Sequence, residues 1–337
     1  MKIAVDAMGG DHAPGAIVEG ALQAAGAYAD VQLILVGDEN QIRHHIVGDC
    51  PDNIEIIHTT EVIESDEKEP AKAIRRKRDS SMVTALELVH QQKADAVISA
   101  GNTGAFMAGG VFITKRIEGI ERPALSPIIP SIAGQGTLVL DVGANMDAKP
   151  ENLLQYAMMG TVYARKVMGV ESPRVGLLNV GTEEKKGNEL TKEAFVLLEE
   201  KLPNFIGNIE ARDIPFSVCD VVVCDGFSGN ILLKSYEGMA AAIFQVLKQE
   251  FTSTVTTKVG ALLLKPGLRR IKQKLDYAEY GGTPLLGLQS PCIKAHGSSN
   301  AYAIKNAIGQ ALRFVQSDVI GQISKEVIEQ KRGNDNE

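Results

Sequence analysis

Six apolar runs of strand length, each ending abruptly in a loop of Gly, Asn, Asp or Thr, constrain this 337-residue chain more than any other feature. The first three are Ile3-Ala4-Val5-Asp6 before Met8 to His12, Leu33 to Val36 before Gly37-Asp38, and Ala96 to Ser99 before Gly101-Asn102-Thr103-Gly104. The others are Leu138 to Asp141 before Gly143-Ala144-Asn145, Val175 to Asn179 before Gly181-Thr182, and Val221 to Asp225 before Gly226 to Asn230. Near-continuous apolar strands separated by helical stretches predict a parallel sheet covered on both faces by crossover helices. The expected class is therefore α/β, with a doubly wound, mostly parallel sheet. Ligands of such sheets bind beyond the carboxyl ends of the strands. Here those ends are rich in small residues and backbone amides, a surface suited to an anion.

A chain this long, 44% hydrophobic, buries a large core, and the organisation expected is one α/β domain over 1–337 with an excursion at about 250–276. Asp6 interrupts what would be the apolar stretch of a signal peptide, and no run approaches transmembrane length, so a cytoplasmic location is expected. Four cysteines do not make a disulfide framework. Cys219 and Cys224 lie five apart across one strand, which sets them on opposite faces as buried structural thiols and disfavours a shared metal. A net charge of -7 argues against nucleic-acid binding.

Helical periodicity is legible at Pro14 to Tyr28, Ser81 to Gln92, Asn152 to Val167, Asn188 to Lys201, Asn230 to Glu250 and Ser298 to near Gln330, before a polar tail from Lys331 that should fray. Glu64 to Arg78 runs from acidic to basic across Pro70, in the sense that suits a helix dipole. Arg75 to Arg78 are read either as a solvated face or as a substrate or subunit contact. In the excursion, Val255, Val259, Leu262 and Leu263 share one helical face, Lys265-Pro266-Gly267 should break the helix, and Leu268, Ile271 and Leu275 make a second stripe. This amphipathic helical hairpin carries Lys258, Lys265, Arg269, Arg270, Lys272 and Lys274 and no acid. A dimerisation arm and a surface for anionic lipid or an acidic protein both fit, and a dimer would double the patch.

Several familiar machines are excluded by their missing motifs: a dinucleotide G-x-G-x-x-G after a strand, a P-loop, a nucleophile elbow and a zinc-protease helix. No metal site and no cofactor are indicated. What remains are loops of anion donors with cations beside them. Gly181 to Glu189 joins a strand to a helix start, where Lys185 and Lys186 either add positive charge or are balanced on the surface by Glu183 and Glu184. Asn230 either caps the following helix or aims its amide into the crevice as an oxyanion donor. Lys294 to Ser299 is a third such loop, with Ser298 and Ser299 as caps and His296 either structural or catalytic. Asp11-His12 follows Gly9-Gly10, and Asp11 is also a candidate helix cap.

The strings Ile3 to Pro14, Ser99 to Ala105, Asp141 to Asn145, Leu178 to Glu189, Cys224 to Asn230 and Lys294 to Ser299 resemble those of the PlsX family of bacterial phosphate acyltransferases. The likeness runs in order from Met1 to about Val327, without departure in these motifs. It implies a homodimer that makes acyl phosphate from acyl-[acyl-carrier-protein] and inorganic phosphate, for a membrane glycerol-3-phosphate acyltransferase in phospholipid synthesis. It also implies a fold like that of phosphotransacetylases and isopropylmalate-type dehydrogenases, and peripheral membrane attachment through the hairpin. The family's catalytic lysine matches Lys185 and its essential loop asparagine matches Asn230. The expected catalytic set is Lys185, Asn230 and His296. Substrate contacts are expected from Gly9, Gly10, Asp11, His12, Asn102, Thr103 and Asn145, and from Gly181, Thr182, Lys186, Asn188 and Ser298. Membrane or carrier-protein contacts are expected from Val255, Lys258, Val259, Leu262, Leu263, Arg269 and Arg270.

Phosphate at neutral pH is itself a nucleophile, so no catalytic Ser or Cys is required. Lys185 and the amides of Gly181 to Asn188 are expected to hold it in line with the thioester carbonyl, while Asn230 stabilises the oxyanion. His296 or Lys185 need only assist the departing pantetheine thiolate. The hairpin stripes are the expected slot for the fatty chain. Competing readings are a coenzyme-A-dependent phosphotransacetylase, a metal- and nicotinamide-dependent dehydrogenase using Asp220 and Asp225, and a non-catalytic membrane scaffold.

Overall fold

The computed structural model describes residues 1–275, 279 and 281–334, and of these the side chains of 272–275 and 331–334 are outside the description. The expected far end of the excursion at 276, the side chains of Lys272, Lys274 and Leu275, and residues 335–337 of the tail therefore lie outside the described residues, while 331–334, expected to fray, continue the last helix. The strands are β1 (Lys2–Asp6), β2 (Gln32–Gly37), β3 (Ile54–His58), β4 (Ala96–Ser99), β5 (Ala124–Leu125), β6 (Ile128–Ile129), β7 (Thr137–Leu140), β8 (Val175–Asn179), β9 (Phe205–Glu210), β10 (Val221–Val223), β11 (Thr283–Leu286) and β12 (Cys292–Lys294). The helices are α1 (Gly15–Ala27), α2 (Glu39–His44), α3 (Pro70–Arg76), α4 (Ser81–His90), α5 (Thr103–Gly109), α6 (Pro150–Lys166), α7 (Glu189–Lys201), α8 (Gly226–Ser253), α9 (Val255–Leu275), α10 (Ala301–Gln316) and α11 (Val319–Asn334).

The six apolar runs all become strands, shared equally between two sheets. A seven-stranded sheet has the order β3-β2-β1-β4-β12-β11-β5, and a five-stranded sheet the order β6-β7-β10-β8-β9. From β3 to β12 the first sheet is parallel, and β11 and β5 are antiparallel at its end. In the second sheet β7, β10, β8 and β9 are parallel and only β6 runs antiparallel. The two sheets meet where β5 gives way to β6 after two residues.

Alternation along the strands divides the interior into two packed layers that both sheets share. Ile3, Val5, Leu33, Leu35, Leu138, Leu140, Val221 and Val223 face one layer with α1, α6, α7, α10 and α11. Ala4, Ile34, Val36, Val97, Val139 and Val222 face the other, with α3, α4, α5 and the start of α8. Strands buried on both faces read as continuous apolar runs for this reason. The doubly wound α/β architecture expected from the sequence is what the chain adopts, although the division into two sheets was not legible.

Three local expectations are corrected. α9 runs through Pro266 and Gly267, and the break falls instead at Thr254, so the hairpin is the pair α8 and α9. A proline costs a helix one hydrogen bond and bends it more often than it ends it. The last helical stretch is two helices, divided at Ser317-Asp318 where Asp318 takes φ 46°. Cys219 and Cys224 are both buried but pack in the same layer, because Cys219 precedes β10 and strand alternation does not extend to it. All four cysteines are free.

Helix entry depends on close contacts that only glycine permits. A Cβ on Gly20 of α1 would lie 2.6 Å from the Ala301 carbonyl oxygen of α10, and one on Gly229 would overlap the Asp141 carbonyl. Gly229→Ala should therefore destabilise the protein by about 1–3 kcal/mol through overpacking. Gly260→Ala, where a Cβ meets nothing within 4 Å, should stabilise α9 by about 0.5–1 kcal/mol. Thermal melts of the two variants should move in opposite directions.

Candidate active site

The carboxyl ends of β1, β4 and β12 are neighbours in the first sheet, and one buried carboxylate ties their loops together. Asp6 accepts hydrogen bonds from Ser81 Oγ and Ser99 Oγ, both at 2.6 Å, and from the Met8 amide at 3.3 Å. Burial raises its pKa against these bonds and against the pull of nearby Lys294. Lys294 is also buried, and desolvation brings its ammonium down to about 8 while Asp6 and Asp11 oppose the shift. Its Nζ donates to the Ala295 carbonyl. Glycine is required above this pair: a Cβ on Gly9 would stand 2.5 Å from Asp6 Oδ2 and 2.7 Å from the Gly101 nitrogen. Gly10 takes φ +108°, which turns the chain so that the Asp11 amide reaches the Gly297 carbonyl at 2.8 Å.

The expected residues Gly9, Gly10, Asp11, Asn102 and Ser298 thus belong to one cluster. Asp11 does not cap α1, whose start has no side-chain cap. Asn102 caps α5 through the Ala105 amide at 2.9 Å and donates to the Ser65 carbonyl at 2.9 Å, while Thr103 beside it is exposed. Neither Ser298 nor Ser299 caps α10; that role falls to Asn300, which accepts from the Ala303 amide. The Ser298 amide and hydroxyl instead approach His296 Nδ1 at 3.2 and 2.8 Å. The amide contact makes Nδ1 an acceptor and places the ring proton on Nε2. Desolvation lowers the imidazole pKa from its ordinary value, with Glu237 opposing and Lys234 and Lys294 adding to the shift. Glu237 and Lys234 belong to α8, so this loop faces the helix that leaves the second sheet. His12 is exposed, and its carbonyl accepts from the Ala16 amide.

The second sheet repeats the arrangement at the ends of β7, β10 and β8. Asp141, fully buried, accepts from the amides of Leu125, Ala144 and Asn145 at 2.9, 3.1 and 2.6 Å. Burial pushes its pKa up to about 6, so it is ionised at neutral pH. Asn145 spends its Nδ2 on the Pro123 carbonyl and Tyr156 hydroxyl at 2.7 and 2.8 Å, which fixes the loop. Against this loop lies the start of α8, capped by Asp225 through the Ser228 amide and hydroxyl. Asp220 pairs with Arg174. Asn230 is therefore not the cap; it sits in the first turns of α8 with its Oδ1 3.9 Å from where a Gly143 Cβ would be. The loop from Gly181 to Gly187 is held by Asn179 and Asn208 side chains bonded to the Lys186 and Glu183 carbonyls. Asn188 caps α7 through the Thr191 amide. Thr182 and Lys185 are exposed, and among the described residues Lys185 forms no ion pair, whereas Lys186 lies 3.9 Å from Glu183.

Two parallel sets of loops, one per sheet, thus present backbone amides, the starts of α7 and α8, and the cations Lys185 and Lys186. Cys219 and Cys292 thiols are raised by burial to about 12, which leaves them inert as nucleophiles. Asp6, Lys294 and Asp141 were missed as site-forming groups. The signal was present: a charged residue inside or closing an apolar strand is buried only when partnered. Arg75 stacks over the Phe112 ring at 4.7 Å, which gives it a structural occupation.

Comparison with known proteins places these features in a family. Residues 1–322 match the family model described as "Fatty acid synthesis protein". The phosphate acyltransferase of Brevibacillus brevis is 61% identical over 330 residues, covering 98% of this chain and 97% of that one. Among solved structures, a phosphotransacetylase from Streptococcus pyogenes superposes with a TM-score of 0.60 at 18% identity, covering 94% of each chain. A 4-hydroxythreonine-4-phosphate dehydrogenase from Klebsiella pneumoniae gives 0.54 at 14% identity, covering 94% of this chain and 98% of that one. These two structural likenesses speak for the fold alone.

The Lys294 pKa of about 8 against 10.5 makes a prediction about stability. Between those values the unfolded chain binds more protons than the folded one, so stability rises with pH. Melting temperatures of wild type minus Lys294→Met should increase from pH 8 to pH 10, and a flat difference would remove the buried-cation assignment.

Proposed function

Because this chain belongs to the bacterial phosphate acyltransferase family and is an acyltransferase of lipid biosynthesis, we propose that it transfers a fatty acyl group from acyl-[acyl-carrier-protein] to inorganic phosphate, releasing acyl phosphate and the free carrier. The observation that carries the reading is the loop from Gly181 to Asn188 between β8 and α7, with an exposed Lys185, without an ion pair among the described residues, just before the helix start. Backbone amides and a cation at one point are what a dianion needs.

Phosphate oxygen attacks the thioester carbonyl carbon, the tetrahedral oxyanion collapses, and the carbon–sulfur bond breaks. Lys185 and the loop amides orient the phosphate, which accounts for most of what catalysis requires when the nucleophile is already charged. Asn230, on α8 beside Gly143, supplies an oxyanion donor from its Nδ2. The thiolate leaving group, with a pKa of about 8.5, needs little help. His296 carries its proton on Nε2 and stands on the α8 side of the first cluster, where it assists departure. Asn188 ends the loop by capping α7 through the Thr191 amide.

Acyl phosphate is the substrate expected by a membrane glycerol-3-phosphate acyltransferase. Ile243 and Val246 of α8 and Val255, Val259, Leu262 and Leu263 of α9 are all more than half exposed, beside exposed Lys258, Arg269 and Arg270. That combination supports both homodimer formation and peripheral attachment to an anionic membrane surface. No helix among the described residues is long and apolar enough to cross a membrane.

Mass spectrometry after mixing the protein with a long-chain acyl-carrier-protein and oxygen-labelled phosphate should find the label bridging carbon and phosphorus. Accumulation of an acylated polypeptide would refute direct attack, and turnover with coenzyme A thioesters alone would favour the phosphotransacetylase reading. Lys185→Ala should lower kcat/KM by roughly a hundredfold or more, and Asn230→Ala should lower kcat by about a hundredfold. Leu262→Glu with Leu263→Glu should weaken binding to anionic vesicles, measured by sedimentation, while leaving turnover of a soluble donor in place.

A further inference from the structure

A pocket of about 410 Å³ opens at the carboxyl ends of the second sheet's strands, between the start of α7 and the start of α8. Its walls are Met146, Ala148, Leu190 and Phe227, with Asn188 and Ser228 from the two helix starts beside them. Two of these apolar side chains are conspicuously wet: Phe227 is 61% exposed and Met146 50% exposed. The volume is in the range of small-molecule sites, and the lining is mixed, four apolar residues alternating with Asp147, Asn188, Asp225 and Ser228.

We propose that this pocket is the acyl-chain subsite, seating the middle methylenes of the fatty acyl thioester, beyond the reach of a butyryl chain; the proposal rests on the acyl-transfer reading above. The pocket is continuous with the groups assigned to the reaction. Phe227 and Asn230 are three residues apart in the first turns of α8 and so share a face. Leu190 lies in the first turn of α7, five residues beyond Lys185, and Asn188 both lines the pocket and ends the phosphate loop. A carbonyl carbon placed between Lys185 and Asn230 therefore has its chain directed along Phe227, Met146 and Leu190. Asp225 and Asp147 also border the pocket. Asp225 is occupied with Ser228, and an acidic border disfavours a second anion here while accepting an uncharged chain. The hairpin stripes, by contrast, lie at the far end of α8, twenty or more residues beyond Asn230. Burial of each methylene contributes about a fourfold gain in binding, so the pocket walls should decide how steeply turnover rises with chain length.

Two measurements on the full chain test this separately from the reaction itself. A palmitoyl pantetheine amide carrying a mid-chain diazirine cannot be turned over, and irradiation should label residues 146–148, 190 or 227. Labelling confined to α9 near Leu262 and Leu263 would overturn the proposal in favour of the hairpin. In the second, Phe227→Ala should lose about tenfold or more in kcat/KM for a palmitoyl donor and less than about threefold for a butyryl donor. Leu190→Trp, which fills the pocket, should shift preference toward the shorter chain. An equal loss for both donors, or no loss, overturns the subsite. A wild type that is labelled in the pocket yet forms no acyl phosphate from any thioester keeps the subsite and overturns the acyl-transfer reading.

Discussion

Two buried carboxylates, Asp6 at the end of β1 and Asp141 just past β7, fix the strand-end loops gathered around them. An isolated charge in such a place would cost several kcal/mol, and the chain offsets that by surrounding each one with donors. Asp6 draws in the hydroxyls of Ser81 and Ser99 and the Met8 amide. Asp141 draws in three backbone amides. Each carboxylate is also pressed against glycine: a Cβ on Gly9 or Gly226 would stand 2.5 or 2.7 Å from it. The glycine-rich loops after β1 and β7 are therefore fixed from beneath.

The chemistry asks little of side chains as nucleophiles or bases. Phosphate brings its own negative charge, and the thioester brings a competent leaving group, so orientation and charge neutralisation are the main requirements. In the proposed mechanism these come from helix starts, a glycine loop and an exposed lysine, groups that need no perturbed ionisation to act. The strongly shifted groups, Asp6, Asp141 and Lys294, lie below the surface and act by holding loops. Perturbed pKa values here mark the scaffold of the site rather than its reacting atoms.

The hairpin of α8 and α9 links that site to its surroundings. α8 begins in the crevice with Phe227 and Asn230 and continues for 28 residues into a face of exposed apolar side chains. An apolar surface of that kind is costly in water and calls for a partner. In the proposed mechanism α8 runs from the site of acyl transfer to this exposed apolar face.

The sequence alone determined the strands and most of the helices, because burial on both faces forces an unmistakable apolar run. It also located the loop between β8 and α7, since a helix start after a strand is a local feature. What it left open depended on partners distant along the chain. Asn300 rather than Ser298 caps α10, and Asp225 rather than Asn230 caps α8; several capping residues stood in a row, and only packing chose between them. Continuation of α9 through Pro266, the common layer of Cys219 and Cys224, and the partition into two sheets were likewise decided by tertiary contacts. So were the seating of Lys294 beside Asp6, 288 positions away, and the pocket between α7 and α8. Local periodicity reports how each segment is buried. Which segments are brought together is settled by pairing and desolvation across the whole chain.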